Sequence, residues 1–474
     1  MIKQMRSHPI ILILALAVFT ILFTSMLPAC SGRKQTNKPN IIILLTDDQP
    51  IPTLQYMPNL QKEIIAKGIS FSNAYVTTPL CCPSRSSILT GLYVHNHGVL
   101  TNRAPLGSAI KFKDASTLPV WLQSAGYRTS LIGKYLNGTE SLPEGYIPPG
   151  WNDWHAFISK DPNKDYYYNY TFNDNGKVTR YGDTPEDYST DMMSKKAVDF
   201  IKQTDGPFFL YLSFYAPHQP YIAADRHKDL FKTDAEFARY RPENFLEKDI
   251  SDKPAWVQEI DPQDVGQDPA YIDKVYQREL RTLMAVDDSV GQVVATLENL
   301  GIRDNTLIIY MTDNGMALGE NRIFGKACPY DACIHVPFII SYPDKIIASR
   351  VDPNLILNID IAPTLTDLAG IPNASTFDGK SFLKLLNDPA SAWRDGFLIE
   401  QYQDDPAEGG MTALVPSYVG FRTKEWKYIE YETGERELYN LLNDPFELNN
   451  LAAQSQYEQT MQGLSARVHA IRPK

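Results

Sequence analysis

Short, continuous apolar runs alternate along the chain with longer segments in which apolar residues recur every three or four positions. Uninterrupted apolar runs are typical of strands that are buried on both faces of a parallel sheet. The clearest helical segment covers residues 271–300 and is followed by Gly301. This alternation predicts an α/β fold with a mostly parallel sheet flanked by helices, and ligands are expected at the carboxyl ends of the strands. The apolar runs are residues 40–45, 129–132, 208–214 and 307–311.

Two long stretches interrupt this alternation. Residues 140–190 are rich in Tyr, Asp, Asn and Gly, and residues 225–265 are highly charged with little periodicity. Connections of this length inside a domain are uncommon unless they serve a function. We therefore predict that both stretches are surface excursions that shape a binding cleft.

The sequence changes character again near residue 390. Short runs of strand-forming residues precede a final helical segment over residues 456–471. This pattern predicts a small α+β subdomain at residues 386–474, after a main domain at residues 40–385. The strand-like runs are residues 396–401, 418–422 and 426–431.

The first thirty residues are predicted to lie outside the fold. Residues 10–23 are almost wholly apolar after a short basic start, which is typical of a secretory signal peptide and is short for a membrane span. Cys30 follows Leu-Pro-Ala, which resembles the cleavage site of bacterial lipoproteins, so we expect a signal peptide at residues 1–29, a lipid on Cys30 and a tether at residues 30–39. A plain signal peptide and an uncleaved anchor are the alternatives. The protein is expected to be exported and, if lipidated, held at a bacterial membrane by that anchor alone, in the periplasm or at the cell surface.

Composition and charge narrow the class of protein. Of the 474 residues, 43% are hydrophobic and 21% are charged, which excludes a disordered chain, a collagen or a coiled coil. The net charge of −11 argues against a nucleic-acid-binding protein, whose contact surface is basic. The 27 tyrosines suit a polar aromatic surface such as a sugar site, and they suit a tyrosine-rich core equally well.

Export changes the interpretation of the four cysteines after Cys30. Cys81 and Cys82 are adjacent, which is poor geometry for a mutual disulfide. Cys328 and Cys333 are close in the chain, and an oxidising compartment would allow a disulfide between them. Two buried thiols are the alternative, and a single pair of this spacing is weak support for zinc.

Oxygen-bearing side chains follow two of the predicted strands directly. Asp47 and Asp48 end the first apolar run, and Asp313 and Asn314 end the run over residues 307–311. If these strands are neighbours, their oxygen atoms converge at one edge of the sheet, where Ca²⁺ or Mg²⁺ fits better than zinc. Such a pair alone is more often a turn or a helix cap, so the predicted metal site depends on both pairs together.

A specific motif begins at Cys81, where Cys-Cys-Pro-Ser-Arg leads into a short helical segment that ends in Leu-Thr-Gly at Gly91. The motif resembles the signature of the sulfatase family, and every fixed position is present. The resemblance implies that Cys81 is oxidised after synthesis to formylglycine by a formylglycine-generating enzyme. A buried thiol beside a proline-capped helix is the alternative.

The chemistry of the motif can also be argued from its residues. Pro83 suits the first turn of a helix, whose unpaired N–H groups attract sulfate or phosphate, and Arg85 would add a fork of donors. An aldehyde at Cys81 would hydrate to a diol, of which one oxygen attacks sulfur while the other later loses its proton and expels sulfate. A serine or cysteine would remain as a stable sulfate ester.

The resemblance covers nearly all of the chain after the tether. It implies an alkaline-phosphatase-like core and makes the main domain a sulfatase catalytic domain. Asp47, Asp48, Asp313 and Asn314 match the metal ligands of the family. Together with the oxygen at Cys81 they are implied to hold Ca²⁺, with Mg²⁺ as the alternative.

Further side chains match the substrate-binding and catalytic residues of the family in chain order. Lys134 and Lys326, each after a glycine, match lysines that bind sulfate, and Arg85 is expected to contact sulfate as well. His218, in Ala-Pro-His-Gln-Pro, matches an active-site histidine that contacts substrate and is our candidate general acid for the leaving alcohol. Each residue alone would more often be a solvated charge or a loop residue, so these assignments depend on their order relative to Cys81.

Two positions depart from many arylsulfatase-like members, because Leu136 and Asn321 stand where those proteins carry a histidine. The run from Gly133 to Asn137 makes the chain most similar to the branch of N-acetylglucosamine-6-sulfatases and heparan endosulfatases. The base that releases sulfate is left open. His95 or His97 is a candidate, alongside a helix-end or substrate-contact role.

The sequence thus predicts a sulfuric ester hydrolase that removes sulfate from carbon 6 of N-acetylglucosamine or a related sugar. The negative net charge, with no long basic run, favours a terminal sugar or a short oligosaccharide over internal attack on a polyanion. The alternatives are a phosphonate monoester or phosphodiester hydrolase of the same superfamily and a non-catalytic lipoprotein that binds glycans.

Overall fold

The computed structural model describes residues 38–158, 166–233, 235–346, 349–372, 376–404 and 411–472. The predicted signal peptide, the lipidation site at Cys30 and residues 30–37 of the predicted tether lie outside these ranges and stay predictions. Within the described ranges, no helix has both the length and the hydrophobicity that a membrane span requires.

The strands form one large sheet, a small C-terminal sheet and a two-stranded ribbon. In chain order they are β1 (Asn40–Asp47), β2 (Ile69–Tyr75), β3 (Arg128–Gly133), β4 (Asp153–Phe157), β5 (Thr171–Asp174), β6 (Lys177–Arg180), β7 (Phe208–Pro217), β8 (Thr306–Thr312), β9 (Ala317–Leu318), β10 (Phe324–Gly325), β11 (Phe338–Ser341), β12 (Arg350–Leu357), β13 (Gly396–Gln401), β14 (Tyr418–Thr423), β15 (Trp426–Tyr431) and β16 (Arg436–Asn440). The large sheet has the order β12-β2-β11-β8-β1-β7-β3-β4-β5-β6. Its central strands from β8 to β4 run parallel, and antiparallel pairs lie toward both edges, which confirms the predicted α/β class.

Helices cover both faces of the large sheet. They are α1 (Pro58–Leu60), α2 (Cys81–Thr90), α3 (Val94–His97), α4 (Leu118–Ser124), α5 (Ser189–Gln203), α6 (Ala255–Gln258), α7 (Pro269–Asn299), α8 (Asp331–Ile334), α9 (Ile361–Leu368), α10 (Leu383–Asn387), α11 (Met411–Leu414) and α12 (Glu458–Ile471). Short 3₁₀ helices occur at Ile51–Tyr56, Ala109–Lys111, Thr139–Ser141, Pro185–Asp187, Asp225–His227, Val265–Gln267, Asn358–Asp360 and Ser455–Tyr457, and Gln61–Ile65 is a π-helical turn.

The alternation of side chains along β1 explains why its sequence is apolar throughout. Ile41 and Ile43 point into the layer that contains α2, α4 and α9, whereas Ile42 and Leu44 point into the layer that contains α5 and α7. Successive side chains of a strand face opposite sides, so a strand between two helical layers needs apolar residues at every position. All residues of β1 are buried.

The prediction of a surface excursion over residues 140–190 is wrong in part. This stretch contributes β4, β5 and β6, which continue the large sheet to its edge. Tyr167 and Tyr170 are fully buried and pack in the layer that contains α5 and α7, so much of the tyrosine cluster belongs to the core. Strands β2, β11 and β12 were also missing from the predicted set.

The small C-terminal sheet, β13 to β16, packs with α12 onto the same hydrophobic core as the large sheet. The predicted domain boundary between residues 385 and 386 falls within α10. We propose that the boundary lies after this helix, in the connection that precedes β13.

The C-terminal sheet also holds the segment between β10 and β11. Arg422 donates to both carboxylate oxygens of Asp331 at 3.0 and 2.7 Å, and Lys427 donates to Asp331 at 2.6 Å and to the carbonyl oxygen of Pro329 at 3.1 Å. The hydroxyl of Tyr330 donates to Glu437 at 2.8 Å. This segment therefore has fixed partners on the C-terminal sheet.

The same segment is closed by a covalent bond. Cys328 and Cys333 form a disulfide, with their Cα atoms 5.7 Å apart. Of the two alternatives that the spacing left open, the structure contains the disulfide.

Replacing Asp331 by asparagine tests how much the C-terminal sheet stabilises the segment between β10 and β11. Burial raises the pKa of Asp331, but the neighbouring cations Arg422 and Lys427 hold it well below its ordinary value. Asp331→Asn leaves Arg422 buried without its anion, while Lys427 keeps its ion pair with Glu447 at 2.5 Å, so we expect the free energy of unfolding in urea to fall by about 3 kcal/mol.

The matched control is Asp395→Asn. Asp395 pairs with Arg467 on the surface, where the two side chains are 79% and 38% exposed, and such pairs contribute at most about 1 kcal/mol. Equal losses in the two variants would contradict a special role for Asp331.

Candidate active site

Four central strands deliver the predicted site residues to one edge of the large sheet. β1 and β8 are parallel neighbours, and Thr46 lies opposite Thr312, so the residues after these two strands emerge side by side. Lys134 follows β3 directly and His218 follows β7 directly. The parallel register thus brings residues from distant parts of the sequence to one place.

Three carboxylates and Cys81 form a buried cluster at this edge. Cys81 Sγ lies 3.5 Å from Asp47 Oδ1 and 4.0 Å from Asp48 Oδ1. One side-chain atom from each of Asp47, Asp48, Cys81 and Asp313 lies within 4.8 Å of the others. Asp48 has a φ of 64°, a left-handed conformation that is uncommon for a residue with a side chain and is often found at functional sites.

Asn314 completes this cluster. Its Nδ2 donates to Asp48 Oδ1 at 2.6 Å, whereas its Oδ1 is buried and accepts no hydrogen bond from the described residues. A buried carbonyl oxygen normally has a partner. With three carboxylates beside it, this oxygen completes a set of hard donors that fits a divalent metal ion.

Helix α2 carries Cys81 and Arg85 into the cluster. It begins at Cys81 and ends at Thr90, where Gly91 adopts a φ of 72° and donates its N–H to the carbonyl of Ser87. This left-handed position after the last turn favours glycine. Every residue of α2 is buried, so the helix fills the interior beside the sheet.

Arg85 binds other protein groups. Its Nε donates to Asp313 Oδ2 at 2.7 Å, and its Nη1 donates to the carbonyl of Lys134 at 2.8 Å and to Ser213 Oγ at 2.7 Å. Its Nη2 lies 3.5 Å from Asp47 Oδ2, and the side chain is fully buried. Nη2 forms no hydrogen bond with the described residues, so one donor of Arg85 is left over, and the predicted contact with sulfate stays a prediction.

Two lysines neutralise the carboxylates from the other side. Lys326 Nζ donates to both oxygens of Asp48, at 2.7 and 2.8 Å, and lies 2.8 Å from Cys81 Sγ. Lys134 Nζ donates to Asp47 Oδ2. Burial would lower the pKa of Lys326, but Asp48 and the other carboxylates raise it well above its ordinary value, so the lysine stays charged.

Gly133 allows Lys134 to reach this position. Its φ is 110°, and a Cβ atom there would lie 2.0 Å from the carbonyl oxygen of Ser213. The next N–H, of Lys134, donates to that same oxygen at 2.8 Å. Only glycine fits where β3 and β7 come this close.

His218 lies beside the cluster of carboxylates and Cys81, and its imidazole ring has a defined orientation. Its Nδ1 lies 2.9 Å from the carbonyl of Gln219, which can only accept, so Nδ1 carries the hydrogen. Nε2 is then the atom that lies 3.6 Å from Asp48 Oδ2. The hydroxyl of Tyr167 donates to the backbone carbonyl of His218 at 2.6 Å. The ring centroids of Tyr215 and His218 lie 4.8 Å apart.

A cleft of about 520 Å³ opens onto this cluster. Lys134, Lys326 and His218 line it, together with side chains that the sequence did not single out. Most of these further residues lie in connections between strands whose composition carries no specific signal, whereas Tyr215 lies in β7 and Tyr166 belongs to the tyrosine cluster. They include Asn102, Arg103, Glu140, Tyr166, Tyr215 and Asp404.

The two histidines considered as bases face other groups. The ring of His97 is buried with its Nε2 3.1 Å from Ser87 Oγ, and burial lowers its pKa to about 3. His95 Nδ1 lies 2.8 Å from Glu400. Neither histidine lines the described cleft, so the structure gives no support for either as the base.

Comparison with known proteins gives a family match over most of the chain. The sulfatase family model matches residues 39–371, and a model of the C-terminal region of N-sulphoglucosamine sulphohydrolase matches residues 319–474. The extracellular sulfatase SULF-1 homolog of Drosophila melanogaster is 36% identical over 387 residues, which cover 78% of this chain and 34% of that protein. This chain therefore spans about a third of the length of that relative.

Two further proteins are similar over most of their length. The N-acetylglucosamine-6-sulfatase of Capra hircus is 33% identical, and the alignment covers 88% of this chain and 81% of that protein. A solved structure of a protein in complex with its substrate D-glucosamine-2-N,6-O-disulfate has a TM-score of 0.79 and 25% identity, with 91% of this chain and 97% of that chain covered.

Removal of the cation should destabilise the protein. Without it, the carboxylates of Asp47, Asp48 and Asp313 repel one another, and a ligand present at 100 times its Kd stabilises the folded state by about 2.7 kcal/mol. We expect exhaustive chelation to lower the melting temperature and added Ca²⁺ to restore it.

Asp47→Asn is the matched control, because it keeps the size of the side chain and removes a ligand charge. Chelation should leave the melting temperature of this variant nearly unchanged. An unchanged melting temperature of the unsubstituted protein, after elemental analysis shows that the metal is gone, would reject the metal site.

Proposed function

The chain belongs to the sulfatase family, and on that premise we propose that it hydrolyses a sulfate ester on carbon 6 of N-acetylglucosamine or a related glucosamine. The observation that carries the proposal is the cluster of Cys81, three buried carboxylates and two lysines, of which the two lysines line the cleft. The choice of sugar is supported by the relative named N-acetylglucosamine-6-sulfatase and by the similar structure that holds a glucosamine disulfate.

Cys81 is the proposed site of the nucleophile. Burial raises the pKa of its thiol far above the ordinary value, so an unmodified Cys81 would stay protonated and react poorly. Formylglycine, made from Cys81 by a formylglycine-generating enzyme, would supply a hydroxyl nucleophile in its hydrated form. The position of Cys81 at the start of α2, beside the carboxylates and Lys326, supports this assignment.

Asp47, Asp48, Asp313 and Asn314, with the oxygen at position 81, are the proposed ligands of the cation. Ca²⁺ is the proposed ion, with Mg²⁺ as the alternative, because the protein donors are all oxygen atoms. When bound, the cation would offset the negative charge of the sulfate group and favour an ionised nucleophile.

The surrounding side chains have separate proposed tasks. Lys134 and Lys326 would hold sulfate oxygens, because both side chains line the cleft and carry a positive charge beside the carboxylates. In its doubly protonated form, His218 would donate the proton on Nε2 to the leaving alcohol and become the neutral imidazole, because the hydrogen on Nδ1 is held by the backbone. Arg85 positions Asp313, Lys134 and Asp47. Its Nη2, which has no hydrogen-bond partner among the described residues, is the proposed donor to sulfate.

We also propose that the protein is exported and carries a lipid on Cys30. The disulfide between Cys328 and Cys333 supports an oxidising compartment. The lipid, the signal peptide at residues 1–29 and the tether at residues 30–39 remain proposals from the sequence.

Mass spectrometry of the peptide that contains Cys81 tests the nucleophile. In protein from the native host, we expect H₂S to be replaced by one oxygen at Cys81, while Cys82 alkylates as an ordinary thiol. Cys82→Ala is the matched control and should retain most of the activity. Active protein with an unmodified thiol at Cys81 would contradict the proposal.

A panel of sulfated monosaccharides tests the substrate. A sulfate on carbon 6, which protrudes from the sugar ring, should reach the lysines that line the cleft most readily, so we expect the highest kcat/KM for N-acetylglucosamine 6-sulfate. The value should be at least tenfold above those of the 3- and 4-sulfated isomers, which corresponds to about 1.4 kcal/mol. Phosphate and phosphonate esters should be poorer substrates. Preference for another sulfate position would overturn the choice of sugar, and preference for phosphonate esters would overturn the reaction class.

A further inference from the structure

The start of α2 has a side-chain partner from outside the helix. The backbone N–H of Cys82 donates to the side-chain oxygen Oδ1 of Asn102 at 2.9 Å. The first N–H groups of a helix have no acceptor within the helix, so a side chain in this place satisfies one of them. Asn102 lies in the connection between α3 and the 3₁₀ helix at Ala109–Lys111. The hydrogen bond therefore ties this connection to the peptide group that joins Cys81 and Cys82.

The same hydrogen bond orients the amide of Asn102. A backbone N–H can only donate, so the atom that faces Cys82 is the oxygen, and the nitrogen Nδ2 occupies the other branch of the amide. Nδ2 donates to no group of the described residues, and it is not one of their fully buried atoms without a partner. Asn102 as a whole is half-buried. Its two N–H donors are therefore left for a partner that comes from outside the protein.

Hydrogen bonds within the connection hold Asn102 in place. The N–H of Leu100 donates to the carbonyl of Leu106 at 2.8 Å. The N–H of Gly107 donates to the carbonyl of Arg103, the residue after Asn102, at 2.6 Å. A donor that is fixed in advance needs no reorganisation when a substrate binds.

Asn102 lines the same cleft as Lys134 and Lys326. Both lysines carry a positive charge beside the carboxylates, so this cleft attracts an anion. A sulfate group presents several oxygen acceptors, and a neutral amide can bind one of them while the lysines bind others. The group under attack must also lie beside residue 81, which belongs to the peptide group that Asn102 contacts.

We propose that Nδ2 of Asn102 donates a hydrogen bond to an oxygen of the sulfate group, while Oδ1 holds the peptide group beside the nucleophile. This inference rests on the proposed function. Asn102 is then a further catalytic residue, because one rigid amide contacts both the sulfate group and the backbone that carries residue 81. Such a link fixes the approach of the nucleophile to sulfur. The alternative is that Asn102 serves only as an anchor for the start of α2.

Two substitutions separate these roles in the mature enzyme. Asn102→Asp keeps an oxygen that accepts from Cys82 and puts a negative oxygen in the place of Nδ2, whereas Asn102→Ala removes both groups. With N-acetylglucosamine 6-sulfate as substrate, we expect kcat/KM to fall about tenfold in Asn102→Ala and about 100-fold in Asn102→Asp. The formylglycine content of each variant at residue 81, measured by mass spectrometry, corrects the rates. An anchor alone gives the opposite order, because aspartate would restore what alanine loses.

Inorganic sulfate shows which part of the substrate the amide contacts. As a competitive inhibitor it occupies the sulfate position without a sugar, so we expect its Ki to rise about fivefold in Asn102→Ala and further in Asn102→Asp. An unchanged Ki together with a raised KM would place the contact on the sugar and overturn the proposal. Asn443→Asp is the matched control, because it adds the same charge at an exposed residue that does not line the cleft. Both constants should be unchanged in this variant.

The outcomes separate this inference from the proposed function. If the unsubstituted protein carries formylglycine and turns over no sulfated sugar of the panel, the proposed function is refuted and this inference with it. If the unsubstituted protein is active and Asn102→Asp is equally active, this inference alone is refuted. If thermal unfolding shows that Asn102→Asp does not fold, Asn102→Ala still decides, because an unchanged Ki for sulfate would refute the contact.

Discussion

Mutual repulsion among three buried carboxylates is the constraint on which the rest of the site depends. Two unit charges 4 Å apart interact by about 4 kcal/mol at an effective dielectric constant of 20, and burial removes the water that would screen them. Asp47, Asp48 and Asp313 lie closer together than ordinary surface acids because β1 and β8 end side by side. The fold offsets the repulsion with Lys134, Lys326 and Arg85.

The balance of charges explains the pKa of the acidic side chains. Burial would raise the pKa of Asp48, yet Lys326 and His218 hold it below its ordinary value, so the carboxylate stays charged. The side-chain oxygen of Asn314 accepts no hydrogen bond from the described residues, so the nearby protein cations leave this buried acceptor unsatisfied. Lysines can neutralise a carboxylate, whereas an amide oxygen needs a donor or a metal ion.

Some parts of this arrangement could be predicted from the sequence and others could not, because strand ends, motifs and edge strands leave sequence signals of different strength. Residues that end a buried strand, such as Asp47 or Lys134, could be placed because the carboxyl ends of parallel strands meet at one edge. The motif at Cys81 was specific. The role of Arg85 could not be read from the motif, because only the packed structure shows that its donors are engaged by Asp313 and Ser213. Strands β4 to β6 were missed because polar and aromatic residues at a sheet edge do not show the pattern of a central strand.

The contacts between the C-terminal sheet and the segment after Lys326 join residues that are synthesised at different times. Lys326 leaves the ribosome long before Arg422 and Lys427, the two residues that anchor Asp331 in the same segment. A chain that stops short of β14 would contain all of the proposed site residues and still lack the partners of Asp331, five residues after Lys326. The last strands therefore complete the support of a segment that begins at a proposed site residue.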